Sequence, residues 1–139
     1  MIRALTIATA YFLALFALGF ALGTVRVMFV TPRLGPLTAT FAEAPIMLIA
    51  AFFFCRWVVH RWRAPRAIAM RWAMVLWFLV LLFAFESLLG AMLFGRTVAE
   101  QWAAVATPAG LVGLSTQLLA ALFPAFIGRV ATLPRVRRP

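Results

Sequence analysis

Few residues in this chain have side chains suited to acid–base, nucleophilic or metal chemistry. The acidic residues are Glu43, Glu86 and Glu100, and the chain has one histidine, His60, one cysteine, Cys55, and no aspartate. Glu86 is the most unusual of these, because it is the only charged side chain in the apolar run of residues 72–94. A carboxylic acid in such surroundings either holds a proton or pairs with a cation.

The spacing of the other residues disfavours a metal centre or a nucleophilic active site. Cys55 and His60 are five residues apart, so on a helix their side chains diverge by about 140°. No His-x-x-x-His, Glu-x-x-His or Cys-x-x-Cys pair occurs, and no glycine-rich phosphate loop is present. The usual ligand spacings and catalytic sets are therefore missing. We expect no catalytic residues, no metal site and no cofactor.

The composition is typical of a membrane protein. Hydrophobic residues make up 66% of the 139 residues and charged residues 12%, against roughly 45–50% and 25% in soluble domains. Four apolar segments predict transmembrane helices, at about residues 4–25, 41–59, 72–94 and 108–128. A helix over residues 72–94 would be about 34 Å long, enough to cross a bilayer core of about 30 Å. We expect one all-α transmembrane domain over residues 1–139, with a basic tail at 129–139.

Turn and cap signals predict how the segments are joined. Two prolines and a glycine in residues 31–36 predict a turn. A second helix starting near residue 41 would have Glu43 in its first turn, where the helix dipole favours a negative charge. Residues 95–106 are predicted to form a short polar connection. Four crossings with short connections predict an antiparallel up-down-up-down bundle.

The basic residues indicate the orientation of that bundle. All thirteen are arginines, and the net charge is +10. Alone, such a charge would suggest nucleic-acid binding, but the arginines cluster at the ends of apolar segments, as membrane topology signals do. Ten fall on one side of the predicted topology and three on the other; the three are Arg26, Arg33 and Arg96. We expect both termini in the cytoplasm, a bacterial inner-membrane location and no nucleic-acid partner.

Depth along the predicted helices groups four polar residues in the outer half of the membrane: Arg26, Glu43, Glu86 and Gln117. Glu86 would lie about 12 Å, and Gln117 about 13 Å, below the outer face. A charge at such depth is costly unless it faces protein or water. Two states relieve that cost. Glu86 is either protonated and donates to a neighbour such as Gln117, or ionised and paired with Arg26. The pair is favoured here, because Arg26 is the cation nearest that depth.

Two further patterns suggest interactions outside the chain. Four arginines near the predicted inner face are candidate contacts for anionic lipid head groups: Arg61, Arg63, Arg66 and Arg71. Topology signalling is sufficient to explain them. The small residues of Gly19-x-x-x-Gly23 would let helix backbones approach closely, within one chain or between two copies.

Three functions are compatible with these features. The first is a non-enzymatic membrane protein that acts by association, as an accessory subunit of a larger membrane complex or as a homo-oligomer. The second is a small oligomeric transporter or channel that uses Glu86 as a proton or cation site. The third is a protein that interacts with anionic lipids. A transporter needs a water-accessible cavity that reaches Glu86, whereas an association protein needs Glu86 closed off by Arg26 or Gln117.

Overall fold

The computed structural model describes residues 1–127, and this part of the chain is helical with no strand. Its five helices are α1 (Ile2–Val25), α2 (Pro36–Arg61), α3 (Ile68–Phe94), α4 (Val98–Val105) and α5 (Pro108–Phe126). A π-helical turn, Arg26–Val30, and an α-helical turn, Thr31–Leu34, prolong α1. The basic tail predicted at 129–139, and the last residue of the predicted 108–128 segment, lie outside the described residues.

Four helical segments are long and apolar enough to cross a membrane: Ile2–Leu34, Pro36–Arg61, Ile68–Leu93 and Pro108–Phe126. In a bilayer a helix satisfies its own backbone hydrogen bonds, which is why such apolar sequences fold this way. The described residues are therefore all helical, as predicted, and the four long apolar helices support the membrane location. α4 is too short to span a bilayer.

The turn predicted at residues 31–36 is narrower than expected. The helix continues to Leu34, and only Gly35 breaks it, with φ +78°, a conformation that costs glycine little. Pro36 then occupies the first position of α2, where its missing N–H is no loss. Because α2 begins at Pro36 and not near residue 41, Glu43 lies about two turns inside the helix. Its expected position in the first turn, next to the helix dipole, is wrong.

The connection predicted at residues 95–106 contains a helix, α4. Thr97 caps it, because the Glu100 N–H donates to Thr97 Oγ1 (3.3 Å) and the Thr97 N–H donates to Glu100 Oε2 (2.7 Å). These hydrogen bonds hold the pKa of the Glu100 carboxyl below its usual range. α5 follows so closely that a Cβ added to Gly110 would clash with the Ala104 carbonyl oxygen.

The buried core occupies one end of the molecule. Its side chains come from the start of α1, the end of α2, the start of α3 and the end of α5, together with Ala64 of the α2–α3 connection. Ala39 and Thr40 of α2 are buried elsewhere. We call the end that holds the core the Arg-rich end, because Arg3, Arg61, Arg63, Arg66 and Arg71 lie there. The opposite end, which includes the π-helical turn and α4, is called the far end. There, most side chains are exposed or half-buried.

Aromatic rings join α1 to α3. Phe12 contacts both Phe78 and Phe85, with ring centroids 5.7 and 5.2 Å apart, and Phe16 contacts Phe85 at 5.3 Å. Tyr11 packs on Phe78 at 5.2 Å. Helix association in lipid depends on such packing, because lipid tails are as apolar as the side chains.

Hydrogen bonds between helices fix the Arg-rich end. Tyr11 Oη donates to the Ala120 carbonyl (2.8 Å), and Trp77 Nε1 donates to Thr9 Oγ1 (2.9 Å). Arg3 Nη2 donates to the Trp62 carbonyl (2.8 Å), so the start of α1 lies against the end of α2.

Arg71 is the most deeply buried charged residue described, at 2% exposure. Its Nε donates to the Pro65 carbonyl (2.7 Å), before α3, and its Nη1 donates to the carbonyls of Pro124 (3.1 Å) and Ile127 (3.0 Å), at the end of α5. The Pro124 and Ile127 carbonyls lie at the end of α5, where the last carbonyls have no intrahelical donor, so they need an outside donor. Arg71 therefore ties the α2–α3 connection to the end of α5.

We expect Arg71→Leu to lower the free energy of unfolding by about 2–4 kcal/mol, because three carbonyls lose a charged donor. Arg71→Lys should lower the free energy of unfolding by a smaller amount, since an ammonium keeps the charge but lacks the planar fork of a guanidinium. The measurement is unfolding in mixed micelles. Arg66→Leu, at an exposed arginine of the same end, is the control and should stay within about 0.5 kcal/mol of the parent chain. Equal losses for the two leucine variants would contradict this role.

Candidate functional site

The four polar residues predicted to form an intramembrane cluster lie in two pairs. Arg26 contacts Glu43, and Glu86 contacts Gln117. The first pair joins the far end of α1 to α2, and the second joins α3 to α5. The favoured pairing of Arg26 with Glu86 is not the one found.

Arg26 is the first residue of the π-helical turn. Its Nη1 donates to Thr40 Oγ1 at 2.6 Å, and Thr40 Oγ1 in turn donates to the Pro36 carbonyl at 2.8 Å. Its Nε lies 2.9 Å from Glu43 Oε2 without hydrogen-bond alignment, so that contact is an electrostatic one. The exposed fractions of the two side chains, 33% and 17%, show that the pair is largely removed from the surroundings.

Glu86 and Gln117 form the second pair. Gln117 Nε2 donates to Glu86 Oε1, and both residues are half-buried. A neutral amide gives the carboxyl a donor without a compensating charge. The amide also supplies an oxygen, so the same pair can exist with Glu86 protonated and donating.

The two pairs are neighbours along α5. A Cβ on Gly113 would lie 4.0 Å from Thr40 Cγ2, so Gly113 faces Thr40, which accepts a hydrogen bond from Arg26 of the first pair. Gln117 is about one turn further along the same helix, and side chains four apart share a face. The far half of α5 therefore lies beside both polar pairs, with α2 on one side and α3 on the other.

Three other hydroxyl groups, in the half of the molecule toward the far end, are satisfied within their own helices. Thr24, Ser115 and Thr116 each donate to the carbonyl four residues earlier, at 2.8, 2.7 and 2.9 Å respectively. Such bonds to the preceding turn are the usual way for these residues to enter an apolar helix. They add no group to the site.

Above these pairs, α4 covers the end of α3. Gln101 Nε2 lies 3.3 Å from both the Ser87 and Arg96 carbonyl oxygens and donates to them. A Cβ on Gly90 would lie 2.7 Å from the Gln101 side chain, so a larger residue there would displace the Gln101 amide. The Thr97-x-x-Glu100 spacing is a sequence signal that identifies the start of this helix, which the prediction of a plain connection missed.

The four arginines proposed for lipid head groups differ in their surroundings. Arg61, Arg63 and Arg66 are exposed at the Arg-rich end. Arg71 is buried, and its guanidinium donates to protein carbonyls, as described above. Its position before an apolar run gives no sign of this, because a topology signal and a buried donor look alike in sequence.

Within residues 1–127, no three His, Cys, Asp or Glu side chains lie together in a way that could hold a metal ion. Cys55 is buried in the core and His60 is exposed. What the described residues offer chemically is a carboxyl–amide pair and an ion pair, both of which join helices.

No family model matches this chain, and neither a curated protein nor a solved structure matches it significantly. Its function is therefore inferred from the geometry of the chain itself.

The two pairs can be distinguished by double-mutant cycles. We expect Arg26→Gln and Glu43→Gln to be coupled by about 1–2 kcal/mol, because either change alone leaves a partly buried charge without its partner. Arg26→Gln and Glu86→Gln should be additive within about 0.5 kcal/mol. Unfolding in mixed micelles gives both values. A stronger coupling of Arg26 to Glu86 than to Glu43 would contradict the pairing.

Proposed function

We propose that this chain is a small polytopic membrane protein that acts by association, as an accessory subunit or a homo-oligomer. The observation that supports this best is that each of the four predicted intramembrane polar residues has a partner on another helix: Glu86 has Gln117, and Arg26 has Glu43. Polar groups paired in this way hold helices together. A transport site would instead leave the carboxyl open to a water-filled path.

The contacts between helix ends favour the antiparallel up-down-up-down bundle. The start of α1 meets the end of α2 through Arg3 and Trp62, and the end of α1 meets the start of α2 through Arg26 and Thr40. The start of α3 meets the end of α5 through Arg71. With the excess of arginines at one side, the positive-inside rule would place the Arg-rich end and both termini in the cytoplasm, as in a bacterial inner membrane.

A partner would bind to the half of the molecule toward the far end, where few side chains are buried. Apart from Ala39 and Thr40, the buried side chains of the described residues lie toward the Arg-rich end. On α1, Gly19 faces Met47 of α2, because a Cβ added to Gly19 would lie 3.4 Å from Met47 Cε. A Cβ added to Gly23 would meet nothing within 4 Å. The motif thus serves packing within the chain at Gly19 and leaves Gly23 for another helix.

Topology is tested with single cysteines in a Cys55→Ala background. Cysteines at Leu34 and Ala99, both exposed at the far end, should react with an impermeant thiol reagent added outside intact cells. A cysteine at Ala67, exposed at the start of α3, should react only after the membrane is opened. Labelling of Ala67 from outside, with protection of Leu34 and Ala99, would reverse the orientation.

Association is tested by native electrophoresis of mildly solubilised membranes, followed by liposome assays. We expect the chain to migrate in an assembly larger than one copy with its detergent. Gly23→Leu should disturb that assembly, because a leucine side chain would keep another helix from the open space beside Gly23. Ala17→Leu, at an exposed position on a different face of α1, is the control and should disturb it less. In liposomes, proton flux should be no higher than in empty vesicles.

Two results together would replace this proposal with the transporter alternative. One is a monomer in native membranes. The other is a proton flux that Glu86→Gln abolishes without loss of stability. The flux measurement tests directly whether a proton path reaches Glu86, which lies half-buried beside Gln117.

A further inference from the structure

A groove follows one outward face of α2 near the Arg-rich end. The part of the groove nearer the middle of the helix is lined by Ala50, Phe53, Phe54 and Trp57. Phe53 and Trp57 are 63% and 59% exposed. Contact with bulk lipid is enough to explain exposed apolar side chains such as these. What the groove can bind therefore depends on the side chains in the following turns of α2.

The groove changes character within two turns. Its second part shares Phe53 and Trp57 with the first and is completed by Arg56, His60 and Arg61. Phe53, Trp57 and Arg61 are four residues apart, so they lie on one helix face. The opposite face, with Cys55 and Val58, is buried in the core, so this face cannot turn inward to cover itself.

No acidic side chain of the protein pairs with the basic side chains of the groove. The protein has only three acidic side chains, and all are engaged elsewhere: Glu43 with Arg26, Glu86 with Gln117 and Glu100 with Thr97. Arg56, His60 and Arg61 are exposed. An anion from outside the protein can therefore supply their charge complement.

We infer that this groove binds one anionic phospholipid of the adjoining leaflet, with an acyl chain along Phe53 and Trp57 and the phosphate among Arg56, His60 and Arg61. Phe53 and Arg61 are separated by about 12 Å along the axis, which is a suitable span from the upper acyl chain to the head group. Tryptophan prefers that interfacial depth. Basic pockets beside transmembrane helices are recognised sites for anionic head groups.

A lipid site in this groove would depend on the arginines that line it. A purely electrostatic attraction would depend equally on every exposed arginine of this end. Arg63 and Arg66 are exposed at the same end, but they lie beyond α2 on the connection to α3 and do not line the groove. If only net charge mattered, Arg63 and Arg66 would be equivalent to Arg56 and Arg61. The lipid site depends on the membrane location alone and not on the proposed association.

The test uses the full chain, purified in detergent and titrated with phosphatidylglycerol, with bound lipid counted by native mass spectrometry. Arg56→Gln/Arg61→Gln should weaken retention about 10- to 30-fold, given the usual contribution of an arginine near a lipid surface. The matched control, Arg63→Gln/Arg66→Gln, removes the same charge from the same end and should change retention less than about threefold. Phosphatidylcholine should bind the parent chain at least about tenfold more weakly.

A second pair of variants tests the contact between the acyl chain and the apolar part of the groove, without any change of charge. Trp57→Leu should weaken phosphatidylglycerol retention, and should remove quenching of tryptophan fluorescence by phosphatidylglycerol with brominated chains. Trp72→Leu, at an exposed tryptophan of α3, should do neither. Both positions are exposed, so unfolding temperatures should match the parent chain and exclude a folding defect.

Three results would overturn the site. Equal losses in the two double-arginine variants would show diffuse attraction. Equal retention of phosphatidylcholine would show ordinary lipid contact. Displacement of the lipid by glycerol 3-phosphate at a similar concentration would show a site for free phosphate esters that makes no use of the apolar groove.

Discussion

The membrane interior provides no water, and this constraint shapes each polar contact described. A donor or acceptor that enters the bilayer must find its partner within the protein. The protein supplies such partners both at the Arg-rich end and toward the far end. At the Arg-rich end, Arg71 supplies donors to carbonyls that the end of α5 leaves free. In the far half, Gln117 serves Glu86, and Thr40 with Glu43 serves Arg26. These contacts cross between helices, so satisfying the polar groups also determines which helices are neighbours.

The core and the polar pairs divide the molecule into two regions with different means of cohesion. Toward the Arg-rich end, rings of α1 and α3 interlock and small residues of α2 and α5 allow close approach, as at Ala51, Cys55 and Ala121. Toward the far end, packing is sparse, and the polar pairs hold the helices instead. Local opening is easier where few side chains are buried. A partner that covers the far half would therefore stabilise the region with the least internal support.

Much of the fold could be predicted because hydropathy and turn residues report it directly. Apolar runs of the right length must be helices in lipid, and the four predicted segments overlap the four long helices of the structure. The boundaries are less accurate. Pro32 and Gly35 together suggest a wide turn, yet the chain needs only one residue with positive φ, Gly35, to change direction, and Pro32 fits at the start of a helical turn.

The position of Gly35 also explains why the predicted pairing differs from the observed one. If α2 started near residue 41, Glu43 would lie at the membrane surface, and depth alone would match Arg26 to Glu86. In the structure Glu43 lies about two turns inside α2, next to Arg26. Depth along an axis can be estimated from the sequence, but the direction in which a side chain points depends on how the helices are rotated against each other. Residues that meet across helices, such as Arg71 with Ile127, could not be found without that rotation.

The π-helical turn at Arg26–Val30 has a consequence for how this protein tolerates change. The Thr31 N–H donates to the Arg26 carbonyl, five residues back, so the turn holds one residue more than an α-helical turn would. That residue offsets the faces before and after it by about 100°. Losing one residue here would leave hydropathy and the number of crossings unchanged, yet it would rotate the Pro32–Gly35 bend relative to the packed part of α1. A deletion or insertion of one residue in this short stretch would therefore rotate the following helix relative to α1. It would alter the neighbours of Arg26 more than most substitutions could.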